Sequence, residues 1–575
     1  MSWVFAAIAD PLTQQHEQAF ARIHTAPIAH TTKNTVYIAV GGLEQTMRTS
    51  LSLPGDPTDE GFAVVGTGIA LDDDGCHFLS LDEWKGILRA PEPALGHLDG
   101  HFAAVRWRND LLEAWTDQIG LRTLYAAKIE HGYVVASRLD WVAKASGCSE
   151  IDFAQLGSSW LMTNQMAYGS QVKGIERVGP GGFLRCTPSS LHVQSRAWTP
   201  TISEQHESAM VAQLRRFVQP RLNVPSVLSL GLSGGFDCRL LLAILKHSST
   251  RFLLHSFGNP SDPDLKMASQ IAEAEYLPHA AFTSPPQDAS AFIELLREYS
   301  AHVGIIAPVS LLWKLHHYRA LHREHRVLID GGYGEISRRQ MGNRLLRKGS
   351  TVLRRGDPNE VFPLVTAYRA AIFTPDVERR MVESAKQELA AVWRAMPSIE
   401  KIGAENFVDL FSLRTRVPNS GSPAQQWIDS QIVNYMPYAQ PSFLREVFRT
   451  PLTARRNARL HRSVMRQYAP TLTRYPLTKE GVIYPYALTT LPAWLWRNVA
   501  SKVGKKWVDD SPHVFLSSIR EFVCDTAHSR FVKGFAYDEK KIEHDVERYY
   551  AGDRHLANEV DWWLTFELWR RSLIA

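Results

Sequence analysis

The stretch Ser226-Val-Leu-Ser-Leu-Gly-Leu-Ser-Gly-Gly-Phe-Asp-Cys-Arg-Leu-Leu-Leu-Ala-Ile-Leu245 constrains this chain more than any other. Its apolar run, Val227 to Leu232, predicts a buried strand. Ser233-Gly234-Gly235 predicts a tight turn, and Asp237 to Lys246 is apolar at helical spacing. A strand that passes through glycines into a helix aims backbone N–H groups and the positive end of a helix dipole at one point, which suits an anion. Gly234 and Gly235 place no Cβ between the backbone and such an anion. Asp237, in the first helical turn, is placed to hold a cation against it. A short turn of this kind also serves as a plain β–α connection in which the Asp caps the helix.

A chain of 575 residues is long enough for two or more domains, each with its own core. Its formal charge of +5 is small for that length and gives no reason to expect a nucleic acid partner. Five cysteines (Cys76, Cys148, Cys186, Cys238, Cys524) are scattered without a CxxC pair or a histidine at metal spacing, which predicts a reducing compartment and no zinc. Met1 to Asp10 lacks a basic leader, and no run of 18 apolar residues occurs, so neither a signal peptide nor a membrane span is expected and a cytoplasmic protein is.

Residues 1–205 are rich in short alternating runs, among them Thr35–Val40, Gly61–Val65, Phe102–Trp107, Leu111–Trp115 and Tyr133–Ala136. Past a polar junction near Thr199–Ser208, residues 206–575 alternate strand and helix, as a parallel sheet requires. Arg251–Phe257 and Arg326–Asp330 predict strands and Val309–His325 a helix. The tail Val560–Trp569 carries an aromatic stripe that predicts a packed closing helix. No repeats or low-complexity segments interrupt the chain.

The full string Ser233-Gly-Gly-Phe-Asp237 after a buried strand resembles the pyrophosphate loop of the ATP pyrophosphatases, and it lacks the Gly-Lys-Ser/Thr of a Walker loop. Leu98-Asp-Gly-His-Phe-Ala-Ala-Val-Arg-Trp107, Asp117-Gln-Ile-Gly-Leu-Arg-Thr-Leu-Tyr125 and Val178-Gly-Pro-Gly-Gly-Phe-Leu184 resemble, in that order, the N-terminal glutaminase domain of asparagine synthetases. The chain therefore resembles the asparagine synthetase-like superfamily, most like its lasso-peptide cyclase and β-lactam synthetase branch. The resemblance implies an α/β chain: an N-terminal αββα Ntn-hydrolase-like domain over 1–205, then a doubly wound parallel-sheet ATP pyrophosphatase domain over 206–575.

The same resemblance assigns a site. ATP would lie against Gly231, Ser233, Gly234, Gly235, Asp237, Ser256 and Gly331. Mg²⁺ would lie on Asp237 and on Glu335, which falls on the family's magnesium-holding Asp in Asp330-Gly-Gly-Tyr-Gly-Glu-Ile336. Asp262-Pro-Asp-Leu-Lys-Met-Ala268 resembles a family segment that opens a helix, and Lys479, in Arg474-Tyr-Pro-Leu-Thr-Lys-Glu-Gly481, resembles the family's catalytic lysine. Asp237 and Lys479 then carry the catalytic roles.

Several positions depart from the pattern. Ser2 replaces the family's nucleophilic cysteine, and Thr67-Gly-Ile-Ala-Leu-Asp-Asp-Asp74 replaces its Asn-Gly-Glu glutamine-binding segment, so no glutaminase activity is expected. Tyr333 replaces a family glycine, and Val433 and Tyr435 replace a Glu and an Arg. A basic run (Arg338, Arg339, Arg344, Arg347, Lys348, Arg354, Arg355) reads either as a solvated loop or as a grip on an acidic peptide or pyrophosphate.

Family members that lost the glutaminase use an amine already on the substrate. The resemblance thus implies an ATP- and Mg²⁺-dependent, AMP-forming carbon–nitrogen ligase. The favoured reaction is macrolactam closure of a lasso precursor peptide, a ribosomal peptide antibiotic pathway, with a leader-processing protease and a leader-recognition protein as candidate partners. A β-lactam or carbapenam synthetase, an ammonia-dependent asparagine synthetase and a non-catalytic nucleotide- or peptide-binding scaffold are the alternatives.

Overall fold

A computed structural model describes residues 2–51, 60–203, 207–283, 289–314, 317–347 and 349–574. Met1, Lys348 and the junction at 205–206 lie outside them.

The N-terminal part is built from two antiparallel sheets, one of six strands around Trp3–Ala9 and one of seven around Glu60–Leu71 and Asp99–Arg108. Strand alternation decides what each face meets. On Trp3–Ala9, Val4, Ala6 and Ile8 join a core between the sheets with Val65, Val105, Ala114 and Leu184. The other face, Trp3, Phe5 and Ala7, packs with Phe20 and Trp141 of the helices Gln14–Ile23 and Leu139–Ser146. The second sheet is covered on its outer side by Leu81–Arg89, whose Trp84 and Leu88 meet Phe62, Val64 and Phe102. Helix, sheet, sheet and helix therefore stack in four layers, in agreement with the αββα expectation.

The second part centres on a parallel five-stranded sheet. Its strands are β1 (Val227–Gly231), β2 (Phe252–Phe257), β3 (His279–Phe282), β4 (Arg326–Ile329) and β5 (Asn434–Tyr435), in the spatial order β3-β2-β1-β4-β5. Leu228, Ser229 and Leu230 of β1 are fully buried, as a strand covered on both faces requires. The chain runs outward from β1 to β3, then returns to lay β4 on the other side of β1. That reversal opens a crevice beyond the carboxyl ends of the strands, where doubly wound sheets bind ligands. Helix α1 (Phe236–Lys246) follows β1 directly.

The continuous helix expected over 309–325 is not formed. Val309–Lys314 is a 3₁₀ helix and Tyr318–Arg323 a separate short helix, α2. Two packing demands explain the break. Val309 and Leu312 join the core of the closing helix α3 (Ala557–Ser572), whose Thr565 and Asp561 side chains accept from the backbone N–H groups of Val309 and Ser310. Leu321 packs instead with Leu328 of β4 and Ile432. The aromatic stripe of α3 is buried, with Trp563 and Trp569 almost without exposure.

Candidate functional site

A cavity of about 630 Å³ lies beyond the carboxyl ends of β1, β2 and β4. Its wall brings together Gly231, Ser233, Gly235, Asp237, Ser256, Gly331, Glu335 and Lys479, from four separate stretches of the sequence. Gly235 is the N-cap of α1, and no side chain caps that end. The first-turn N–H groups thus meet no side-chain acceptor and face the cavity with the positive end of the dipole. Ser233 Oγ accepts from the Gly235 N–H at 3.1 Å, which closes the turn, and Ser256 Oγ donates to the Leu232 carbonyl at 2.6 Å.

Gly234 is placed differently from its neighbours in the turn. It does not line the cavity. Its N–H donates to Asp264 Oδ1 at 3.0 Å and its carbonyl accepts from the Thr478 N–H and from Arg239, both at 3.0 Å. A Cβ at this position would overlap the Thr478 side chain. The missing side chain at Gly234 thus makes room for Thr478.

What approaches Gly234 is a two-stranded hairpin of Leu477–Lys479 and Val482–Tyr484. Its turn residues, Glu480 and Gly481, both have positive φ (55° and 74°), the backbone of a tight primed hairpin turn. Buried Arg239, from α1, donates to the carbonyls of Gly234, Tyr475 and Pro476 at 2.8–3.0 Å. Asp264 accepts from the Thr478 hydroxyl as well as from Gly234. Lys479 is therefore held at the cavity by a hairpin riveted to the glycine turn. In the sequence, only its place one residue after the helix-starting Pro263 marks Asp264 for this role.

The charged side chains form one connected group. Arg338 donates from Nε to Asp237 Oδ1 at 2.6 Å and from Nη2 to Asp237 Oδ2 at 2.8 Å, and lies 3.8 Å from Glu335 Oε1. Lys479 Nζ donates to Glu335 Oε1 at 2.7 Å. Burial alone would raise the Glu335 carboxyl, but Lys479 and Arg338 outweigh it and hold the group below the usual glutamate range. Burial would likewise lower Arg338, and the Asp237 pairing reverses that and raises it. Glycines permit the crowding. A Cβ at Gly334 would sit 2.5 Å from Asp237 Cγ, and one at Gly331 would sit 2.7 Å from the Cys238 nitrogen. Tyr333, between them in the sequence, holds the left-handed backbone (φ 66°) that favours glycine.

The basic run is thus no uniformly solvated loop. Arg338 is buried in this cluster, and Arg339 is buried with Nη1 2.6 Å from Asp409, while Arg344 and Arg347 are exposed. Deeper in the crevice, burial pushes His255 down to about 3, so its ring is neutral, and burial raises Asp330, which accepts from the Gly332 N–H at 2.6 Å. Tyr435 adds surface rather than charge, because its hydroxyl is tied to the Phe217 carbonyl at 2.6 Å.

Asp237 and Glu335 are hard oxygen donors suited to Mg²⁺, and the guanidinium of Arg338 already fills a cation's place between them. The donor set therefore fits a cation. Among the described residues no group of three or more His, Cys, Asp or Glu is gathered for a metal, and no helix is long and apolar enough to cross a membrane. In the N-terminal part, Ser2 is fully buried, and its carbonyl and Oγ accept from Arg122 at 2.9 and 3.0 Å.

No protein-family model and no curated protein matches this sequence. Among solved structures, the chain is similar to the glutamine phosphoribosylpyrophosphate amidotransferase of B. subtilis complexed with ADP and GMP, at 14% identity and a TM-score of 0.22, over 61% of this chain and 80% of that one. It is similar also to the allosteric regulatory enzyme of purine biosynthesis, at 12% identity and a TM-score of 0.21, over 60% of this chain and 71% of that one. Scores this low carry nothing about the chemistry of the crevice.

Proposed function

We propose that this protein is an ATP-dependent, AMP-forming amide synthetase that activates a carboxylate and joins it to an amine of the same substrate, with macrolactam closure of a lasso-type precursor peptide as the favoured reaction. One observation carries the reading: the uncapped α1 terminus, Asp237, Glu335 and Lys479 converge on one cavity at the strand-order reversal of a parallel sheet. The N-terminal domain then acts as a scaffold without glutaminase activity, in keeping with a buried Ser2 engaged by Arg122.

The triphosphate would lie at the α1 terminus beside Ser233 and Gly235. Mg²⁺, held by Asp237 and Glu335, would neutralise phosphate charge. The substrate carboxylate oxygen attacks the α-phosphorus, the bond to the β-phosphate oxygen breaks, and pyrophosphate leaves. The peptide amine then attacks the acyl carbon. AMP departs with the carboxylate-derived oxygen, the amine proton passes to solvent, and the peptide is lighter by one water. Lys479 offsets the negative charge on the intermediate, and such preorganised cations typically contribute about 10²–10³ in rate.

The test is mass spectrometry of a leaderless precursor peptide incubated with the protein, ATP and Mg²⁺. Loss of one water with equimolar AMP supports the reading. AMP release without ring closure would keep the adenylation and move the amine to a small β-amino acid or ammonia. No AMP and no isotopic exchange between ATP and pyrophosphate would leave a nucleotide- or peptide-binding scaffold.

A further inference from the structure

A second chamber, of about 570 Å³, adjoins the nucleotide cavity. The two share Phe236, Arg338, Lys479, Glu480 and Tyr484, so a ligand in one can reach into the other past Arg338 and Lys479. Nothing in the adenylation chemistry above uses this space.

Its wall is basic. Beyond Arg338, Lys479 and Arg339, the last paired with Asp409, it carries Arg347, Arg456, Arg462 and Arg497. Two of these are spoken for, Arg456 by Glu405 and Arg497 by Glu480 at 2.9 Å. Arg462 is fixed but not neutralised: it donates to the carbonyls of Tyr486 and Leu488 and lies 5.3 Å from the Phe236 ring and 4.7 Å from that of Tyr486. Arg347 lies over Trp494 at 5.1 Å, and neither it nor Arg462 has a carboxylate partner among the described residues. Two positive charges therefore face the chamber uncompensated.

The rim is apolar. Helix Thr490–Lys502 carries Leu491, Trp494 and Leu495, exposed by 63%, 37% and 51%, with Leu491 and Trp494 on the chamber wall itself. Pyrophosphate would match the guanidinium groups but would leave this apolar lip and most of the volume unused. An acidic peptide segment with apolar neighbours uses both surfaces, and the size falls within the roughly 300–1,000 Å³ of pockets that enclose whole ligands.

We infer that this chamber is the docking site for the acyl substrate, and that the substrate is an acidic, apolar-flanked peptide segment. It enters over Leu491 and Trp494 and directs its reacting carboxylate between Arg338 and Lys479. This inference rests on the synthetase reading for what happens to that carboxylate, but peptide binding can be measured without it.

The experiment is fluorescence anisotropy with a labelled octapeptide of alternating Glu and Leu, set against the Gln/Leu peptide of the same length. The Glu peptide is expected to bind about tenfold or more tightly than its Gln counterpart, with affinity falling as salt rises. Arg347→Glu reverses one exposed charge that lines only this chamber, so it is expected to weaken the Glu peptide about tenfold and leave ATP-analogue binding unchanged. Leu491→Asp tests the lip in the same way. Equal binding of the two peptides, or no change in either variant, would overturn the inference. So would inorganic pyrophosphate binding that is lost in Arg347→Glu without any peptide binding. A wild-type protein that binds the peptide but no ATP would refute the synthetase reading alone.

Discussion

Arg338 and Asp237 face each other as a two-point pair, guanidinium edge to carboxylate, on the wall of the cavity in which the glycine turn ends. The geometry is that of the strongest side-chain ion pairs, and both partners are largely shielded from water. Without a metal present, Arg338 is the cation that pairs with Asp237.

Removing that guanidinium leaves the Asp237 carboxylate, only partly exposed on the cavity wall, without its partner, and the cost is below the roughly 3–5 kcal/mol of a fully buried pair. Arg338→Ala should lower the melting temperature, and in the absence of nucleotide should bind Mn²⁺ about tenfold or more tightly than the wild type, read by electron paramagnetic resonance. Identical Mn²⁺ affinities in the two proteins would show that Arg338 does not stand in the ion's place.

Lys479 reaches Glu335 from a hairpin whose turn and anchoring are independent of its own side chain. Lys479→Ala should therefore keep the fold and ATP-analogue binding, while product formation by mass spectrometry falls by roughly 10²–10³. Unaltered turnover would remove Lys479 from the reaction.

Much of this arrangement is legible in the sequence because local signals dominate it. The strand, glycine turn and helix at 227–246 follow from hydrophobic period and turn chemistry. The four-layer stacking is implied by the resemblance that Leu98–Trp107, Asp117–Tyr125 and Val178–Leu184 carry, and not by period, since Trp3–Ala9 is apolar at every position. What was not legible is set by distant partners. Gly234 reads as a glycine of the turn alone until Thr478, some 240 positions on, is seen to fill its space. Arg338 reads as one member of a charge run until it is found against Asp237. The helix at 309–325 breaks because its two ends serve different cores. Period alone carries no information on which core a residue joins.

The glycine contacts give a steric prediction. A methyl group at Gly334 has Asp237 atoms at 2.5–2.7 Å, and Asp237 is pinned by Arg338, so it has little room to give. Gly334→Ala should cost about 1–3 kcal/mol and weaken nucleotide binding. Gly86→Ala is the control: a helical glycine with nothing within 4 Å of the added carbon, which should stabilise by about 0.5–1 kcal/mol. The two variants should move chemical denaturation midpoints in opposite directions, and a shared direction would refute the crowding at Asp237.

Asp561 supplies a prediction about pH. It lies fully buried on α3, accepts from the Ser310 N–H at 3.2 Å, and burial raises its carboxyl to about 7 against an ordinary value of 3.8. Between those values the folded protein holds a proton that the unfolded chain releases. Its contribution is complete below 3.8, declines as pH rises toward 7, and levels off above that. The slope is about 1.4 kcal/mol for each pH unit in that window. Asparagine has the shape of the protonated acid and no charge to release. Asp561→Asn should therefore match the wild type near pH 4 and exceed it in melting temperature at pH 8, with the difference opening across the window. If both proteins lost stability in parallel from pH 4 to pH 8, the proton would not reside on Asp561, and the contact between α3 and the 309–314 turn would depend on some other group.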